Sequence, residues 1–151
     1  MALGGFGDTK ESDILKAIFK GTSLTALTTL WIGAHTGDPG ENGANNEVTG
    51  NAYARVSFDA DTTGGGDVRW EALDAGGPAG QTRVRNKLAI LFPIATPAGW
   101  GVITYWSIWI HATSTAAANF VCGGTITGGS VTISAENRLE FAIDDLQYYI
   151  D

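Results

Sequence analysis

Glycine interrupts this chain so often that long helices have little room in it. Of its 151 residues 21 are glycine. They gather in clusters, at Gly37, Gly40 and Gly43, at Gly64, Gly65 and Gly66, at Gly76, Gly77 and Gly80, and at Gly123, Gly124, Gly128 and Gly129. Short apolar runs lie between the clusters. Glycine reaches the positive φ angles that tight turns demand. Short runs separated by such turns predict an all-β domain, a β-sandwich or jelly-roll-like arrangement of about eight or nine strands.

The one helix expected lies near the N-terminus. Ile14, Leu15, Ile18 and Phe19 recur at helical spacing, Asp8 or Thr9 can cap the start, and Gly21 suits the left-handed stop. This places a helix at about residues 10–20, behind a flexible glycine-rich arm at 1–7. A helix this short must dock on something to be stable. Strands are expected at 27–35, 52–58, 87–92, 102–112, 119–126, 130–134, 139–143 and 146–150, with a short hairpin arm near 68–73. In the 102–112 run, Tyr105 and Trp109 point one way and Trp106, Ile108 and Ile110 the other. Both faces are apolar, so this strand should lie between two layers or between the sandwich and a partner. The segment 36–51 is a polar loop.

The length fits one domain, here 8–151, with a core large enough to need no staples. With 16 Asp and Glu against nine Lys and Arg the net charge is -7, which argues against a nucleic-acid partner. The charged fraction of 17% is low, and a weakly charged surface suits packing against other subunits. The single cysteine, Cys122, rules out an intrachain disulfide. No signal peptide and no membrane span are read, so folding in a cytoplasm is expected.

Candidate chemistry is sparse. His35 and His111 each end a strand, in neither HxH nor HExxH spacing, and read as edge histidines with wet polar tips. Cys122 reads as a buried, inert thiol, because a nucleophile needs a base beside it. Asp59 and Asp61 would share a face if their strand continues, the one arrangement that resembles paired catalytic carboxylates. The loop residues Asp38, Glu41, Asn42, Asn45 and Glu47 are rich in oxygen ligands but lack EF-hand spacing. The glycines at 64–66 lack the lysine of a P-loop and form a turn. Arg83, Arg85 and Lys87 alternate along one strand face, for a phosphate or acidic partner, as a charged guard on an edge, or in salt bridges to an acidic neighbour, the last two being the commoner uses. Trp31, Trp70, Trp100, Trp106 and Trp109 read as core or interface residues, since Trp106 and Trp109 have opposite parity and cannot form one flat platform, although Trp70 and Trp100 stand in turn-rich regions where exposure is the alternative. No catalytic residue, metal or cofactor is expected.

The run GTSLTALTTLWIGAHTGDPGENGANNEVTGNAYARV at 21–56 resembles a family of small phage virion proteins often labelled phage tail fibre protein. LFPIATPAGWGVITYWSIW, within 86–111, and the closing LQYYID are similar to the same family. The segment 67–85 looks longer than the family's. The resemblance implies a structural, non-enzymatic virion protein of a tailed bacteriophage. Small size, acidic balance and low surface charge favour a capsid decoration or cement protein stabilising the major capsid lattice. The alternative is a tail fibre, tail or baseplate component acting in assembly or host attachment. The expected partners are the major capsid protein and further copies of the chain, as dimer or trimer, on the capsid surface. The expected contact residues are Leu3, Phe6, Trp70, Arg83, Arg85 and Lys87.

Overall fold

The computed structural model describes residues 4–60 and 69–150. Leu3, Asp61 and the glycine turn at 64–66 therefore lie outside the described residues. The chain is mostly β, with several antiparallel sheets and one N-terminal helix. The main sheet joins β1 (Gly4–Phe6), β2 (Trp31–His35), β3 (Val56–Ser57), β7 (Tyr105–Trp109) and β8 (Phe120–Thr125), in the order β1-β8-β7-β2-β3. Three two-stranded pairs complete the fold. β4 (Thr82–Arg85) pairs with β11 (Gln147–Ile150), β5 (Ile90–Leu91) with β10 (Glu140–Phe141), and β6 (Gly101–Ile103) with β9 (Val131–Ile133).

Register divides the main sheet into two different faces, because successive side chains alternate. Ile32, Ile108 and Cys122 form one cross-strand row, and Ala34, Trp106 and Gly124 the next. This face packs into the apolar core with Ile90, Phe92, Ile103, Ile133, Leu139, Phe141 and Leu146. The opposite face carries the row Gly33, Ser107 and Gly123. Small side chains there let the loop after β2 settle directly on the sheet. A Cβ at Gly33 would stand 2.5 Å from Ser107 Oγ and 3.2 Å from Glu47 Oε1, so only glycine fits. Trp106 and Trp109 are both buried on opposite faces, as their parity requires. The central strand is thus covered on both sides.

Several sequence expectations change in extent. The segment Gly4–Phe6, expected as part of a flexible arm, is a strand paired in register with β8. Its Phe6 ring meets Tyr148 edge-on at 5.3 Å, which explains why it is held. The helix, α1 (Asp8–Lys20), begins earlier than expected, and Gly7 occupies the cap position without a side-chain cap. A Cβ at Gly7 would collide with the Phe120 ring and the Glu41 carbonyl, which excludes Ser, Thr or Asp there. Gly21 ends the helix in the left-handed conformation, as its position implied. The strand expected at 52–58 shrinks to Val56–Ser57, because Asn51 and Ala52 both adopt positive φ and turn the chain. The run at 102–112 splits into β6 and β7, which enter different sheets. The run expected as a strand at 87–92 is reduced to β5, in a two-stranded pair.

Candidate functional site

The most organised polar cluster lies between the main sheet and the loop that follows β2. Arg55 is its centre. Its Nε donates to Glu47 Oε1 and its Nη2 to Glu47 Oε2, both at 2.6 Å. Nη1 donates to the carbonyls of His111 (2.8 Å) and Ser114 (3.0 Å). The guanidinium lies 3.7 Å over the Trp109 ring, a cation–π contact strengthened by exclusion of water. Tyr53 hydroxyl donates to Glu47 Oε1 and accepts the Ala34 N–H, each at 2.9 Å. Burial and the neighbouring Glu47 carboxylate raise the Tyr53 pKa well above its ordinary value, so the phenol keeps its proton.

A second chain of bonds runs alongside. Trp109 Nε1 donates to Ser107 Oγ at 2.7 Å, and Ser107 Oγ lies 2.7 Å from His35 Nε2. His35 Nδ1 lies 2.7 Å from the Asn45 carbonyl. A carbonyl only accepts, so Nδ1 carries the proton, and the neutral ring takes the serine proton at Nε2. The pairing looks like a nucleophile and its base. Yet both residues have no accessible surface, and Gly33 closes the space above Ser107. The pair holds the loop to the sheet and cannot meet a substrate.

His35 is therefore not the wet edge histidine expected from sequence. Burial lowers its pKa below the ordinary 6.5. The folded state then binds fewer protons than the unfolded state below about pH 6.5, and stability falls as pH drops through that window. It levels off only when the folded imidazole itself protonates. We expect denaturation midpoints to fall between about pH 7.5 and about pH 5, by up to ~1.4 kcal/mol per pH unit from this group. The His35→Gln variant should lose that slope, and an equal slope in both proteins would exclude His35 as its source.

The other candidates fall into structural roles. His111 is exposed, and its Nδ1 accepts the N–H groups of Thr113 and Ser114. Burial raises the pKa of the Cys122 thiol far above its ordinary value, so it is inert. Asp59 sits past the end of β3, bonded by the Ser57 hydroxyl, with its carbonyl taking the Trp70 indole N–H. The loop carboxylates diverge, Asp38 onto the Gly40 N–H and Glu47 onto Arg55. Among the described residues no three metal-ligating side chains stand together, and no helix is long and apolar enough to cross a membrane.

Most of the expected contact residues have partners within the chain. Phe6 packs on Tyr148, and Trp70 is buried against Phe58 with ring centroids 5.1 Å apart. Arg83 grips Asp74 with two bonds of 3.0 Å, and Arg85 reaches Asp74 at 3.2 Å and Asp144 at 2.9 Å. The Arg83 bonds, joined by the Gly76 N–H, hold the Asp74 carboxyl down to about 2. Lys87 lies beyond β4 and is exposed. Sequence reasoning missed Glu47, Tyr53, Arg55 and Ser107 as one network. The signal was present, since Glu47, Tyr53 and Arg55 all fall in the motif that carries the family resemblance.

The solvent side of α1 leaves large apolar side chains uncovered. None of its residues is buried, and Leu15, Ile18 and Phe19 are 55%, 66% and 73% exposed. Below it an open groove of about 560 Å³ runs between the helix and the sheet, lined by Phe6, Ile14, Leu24, Leu27, Ile110 and Val121 among others.

Among the described residues, the His35–Ser107 pair and the Arg55–Glu47 ion pair are both used to pin a loop to the sheet. The chain belongs to the family described as podophage GP4 fiber I protein gp80, whose model matches residues 5–149. It is accordingly a structural protein of the phage virion, of the tail-fibre family, and not an enzyme. No curated protein matches the chain.

Proposed function

We propose that this chain is a tail-fibre subunit that joins neighbouring virion proteins during particle assembly or host attachment. The family match over nearly the whole chain carries this reading. The exposed apolar face of α1 supports it, since contiguous bare apolar surface marks an interaction site. The capsid-cement role, favoured from size and charge, gains no support from that match. Lys87 with the exposed Leu88 and Leu91 is the second surface we assign to partner contact. Phe6, Trp70, Arg83 and Arg85 would act there only beside the contacts they make within the chain.

Immunogold labelling and quantitative gels of purified particles test the placement. The expected result is label confined to the tail, with a copy number that is a small multiple of the tail's symmetry. Label spread over the head, with hundreds of copies, would overturn the fibre reading in favour of capsid cement.

A further inference from the structure

The corner of the loop at 40–43 carries the chain's one asparagine followed by glycine, Asn42 before Gly43. That dipeptide is chemically special, because glycine has no side chain to keep its backbone nitrogen away from the asparagine carboxamide. Asn42 is exposed, and among the described residues its side chain has no hydrogen-bond partner. Gly43 is the opposite. It is buried at positive φ, and a Cβ there would collide with the Phe120 ring. Its N–H donates to the Gly40 carbonyl at 3.0 Å. The preceding Glu41 carbonyl lies close against Gly7, just before α1. A reactive side chain thus stands free in water while the nitrogen it needs is wedged under a ring.

We propose that Asn42 is a self-modification site, a deamidation that the seated loop holds off and that, once it has occurred, stops the loop from seating again. The Gly43 nitrogen attacks Asn42 Cγ, loses its proton and expels the side-chain nitrogen as ammonia, which closes a succinimide ring. Water, the only co-reactant, then opens the ring at either carbonyl. One opening leaves aspartate. The other leaves isoaspartate, in which the main chain runs through Cβ and Cγ and so gains a carbon. In the seated loop the proton to be lost is held by the Gly40 carbonyl, and the Phe120 ring blocks the rotation that would bring nitrogen to carboxamide. The reaction therefore waits for local opening of the loop. Afterwards an added main-chain carbon has to fit where not even a Cβ does. Isoaspartate displaces Gly43 from Phe120, and with it the Glu41 carbonyl from Gly7. The next ties of the loop, the Asn45 carbonyl to His35 and Glu47 to Arg55, follow a few residues on and share the shift. A subunit whose loop has come off the sheet is in this way marked covalently. The proposal does not rest on the fibre reading.

Ageing the full chain in mildly alkaline buffer, with and without denaturing urea, and mapping its peptides by mass spectrometry tests this. In urea the peptide spanning Asn42 should show the amide-to-acid mass change, with isoaspartate as the larger product, ahead of every other asparagine. In native buffer the same conversion should be at least about tenfold slower, since it runs only through the opened loop. Phe120→Leu removes the ring from Gly43 and should narrow that gap several-fold in a chain that circular dichroism shows to be folded. Where that variant does not fold, His35→Gln, which frees the Asn45 carbonyl, supplies the same readout. After removal of urea, isoaspartate chains should melt below wild type and stay open to protease at the loop. Asn42→Asp carries the new charge without the added carbon, and should melt as wild type does. Equal rates with and without urea, conversion first at another asparagine, isoaspartate chains that melt like wild type, or Asn42→Asp chains that melt as low as the isoaspartate form overturn the proposal.

Discussion

Replacing Arg55 with alanine is expected to cost the chain about 3–5 kcal/mol of stability, because breaking one half of a buried ion pair leaves the other half uncompensated. The Arg55 and Glu47 side chains are only 2% and 11% exposed. Loss of the guanidinium would strand the Glu47 carboxylate against the Tyr53 hydroxyl alone. It would also orphan the His111 and Ser114 carbonyls, both of which accept from Arg55 Nη1. For a chain of this length the melting temperature should fall by on the order of 10 °C. Arg55→Lys should recover little, since an ammonium cannot reproduce a two-pronged bond and ring stacking at once. A double change to Arg55→Met and Glu47→Leu should cost less than either single truncation, because no buried charge remains. Urea denaturation monitored by tryptophan fluorescence measures each variant. A loss below about 1 kcal/mol for Arg55→Ala would be the value of an exposed pair, and would show that water reaches the network.

The same network explains what the sequence disclosed and what it hid. Strand content was legible because glycine clusters and β-branched runs act locally, through backbone freedom and side-chain shape. The opposed burial of Trp106 and Trp109 followed from alternation alone. What alternation cannot show is a partner brought from elsewhere in the chain. His35 looked like a wet strand end because its own neighbours, Thr36 and Gly37, are polar and small. Its burial comes from Ser107, 72 residues away, and from a loop whose Asn45 carbonyl folds back over it. Arg55 alternates with Ala54 and Val56 along 52–58, which puts it on the polar side of that pattern. The positive φ of Asn51 and Ala52 breaks that strand, so Tyr53 and Arg55 turn inward as members of one cluster. Gly7 was hidden for the same reason. Nothing beside it in sequence reveals that Phe120 and the Glu41 carbonyl crowd it. The apolar spacing of α1 was legible, and so was its need for a partner, but within the single chain only the inner edge of the helix is covered.

Trp109→Ala should match the Arg55 loss, at about 3–5 kcal/mol, the range for truncating a fully buried aromatic. Trp109 is inaccessible to solvent and meets three groups at once. Its face supports Arg55, its edge meets Phe120 at a centroid distance of 5.2 Å, and its Nε1 donates to Ser107. Those contacts separate by substitution. Trp109→Phe keeps a ring beneath the guanidinium but removes the donor, leaving Ser107 Oγ with only His35. That variant should lose about 1–3 kcal/mol, the cost of a buried polar group left short of a partner plus a smaller ring. It should also keep most of the coupling to Arg55. In the alanine variant the coupling should vanish, so that adding Arg55→Ala costs clearly less than it does in wild type. Equal losses for Trp109→Phe and Trp109→Ala would place the whole effect in the indole N–H and remove the ring from the account. Strictly additive losses for Trp109→Ala and Arg55→Ala would show that the loop is held by the ion pair and by the aromatic packing independently. The expected result is strong non-additivity, because the Trp109 ring contacts the Arg55 guanidinium directly and both belong to the network that ties Glu47, Tyr53 and Arg55 to the sheet.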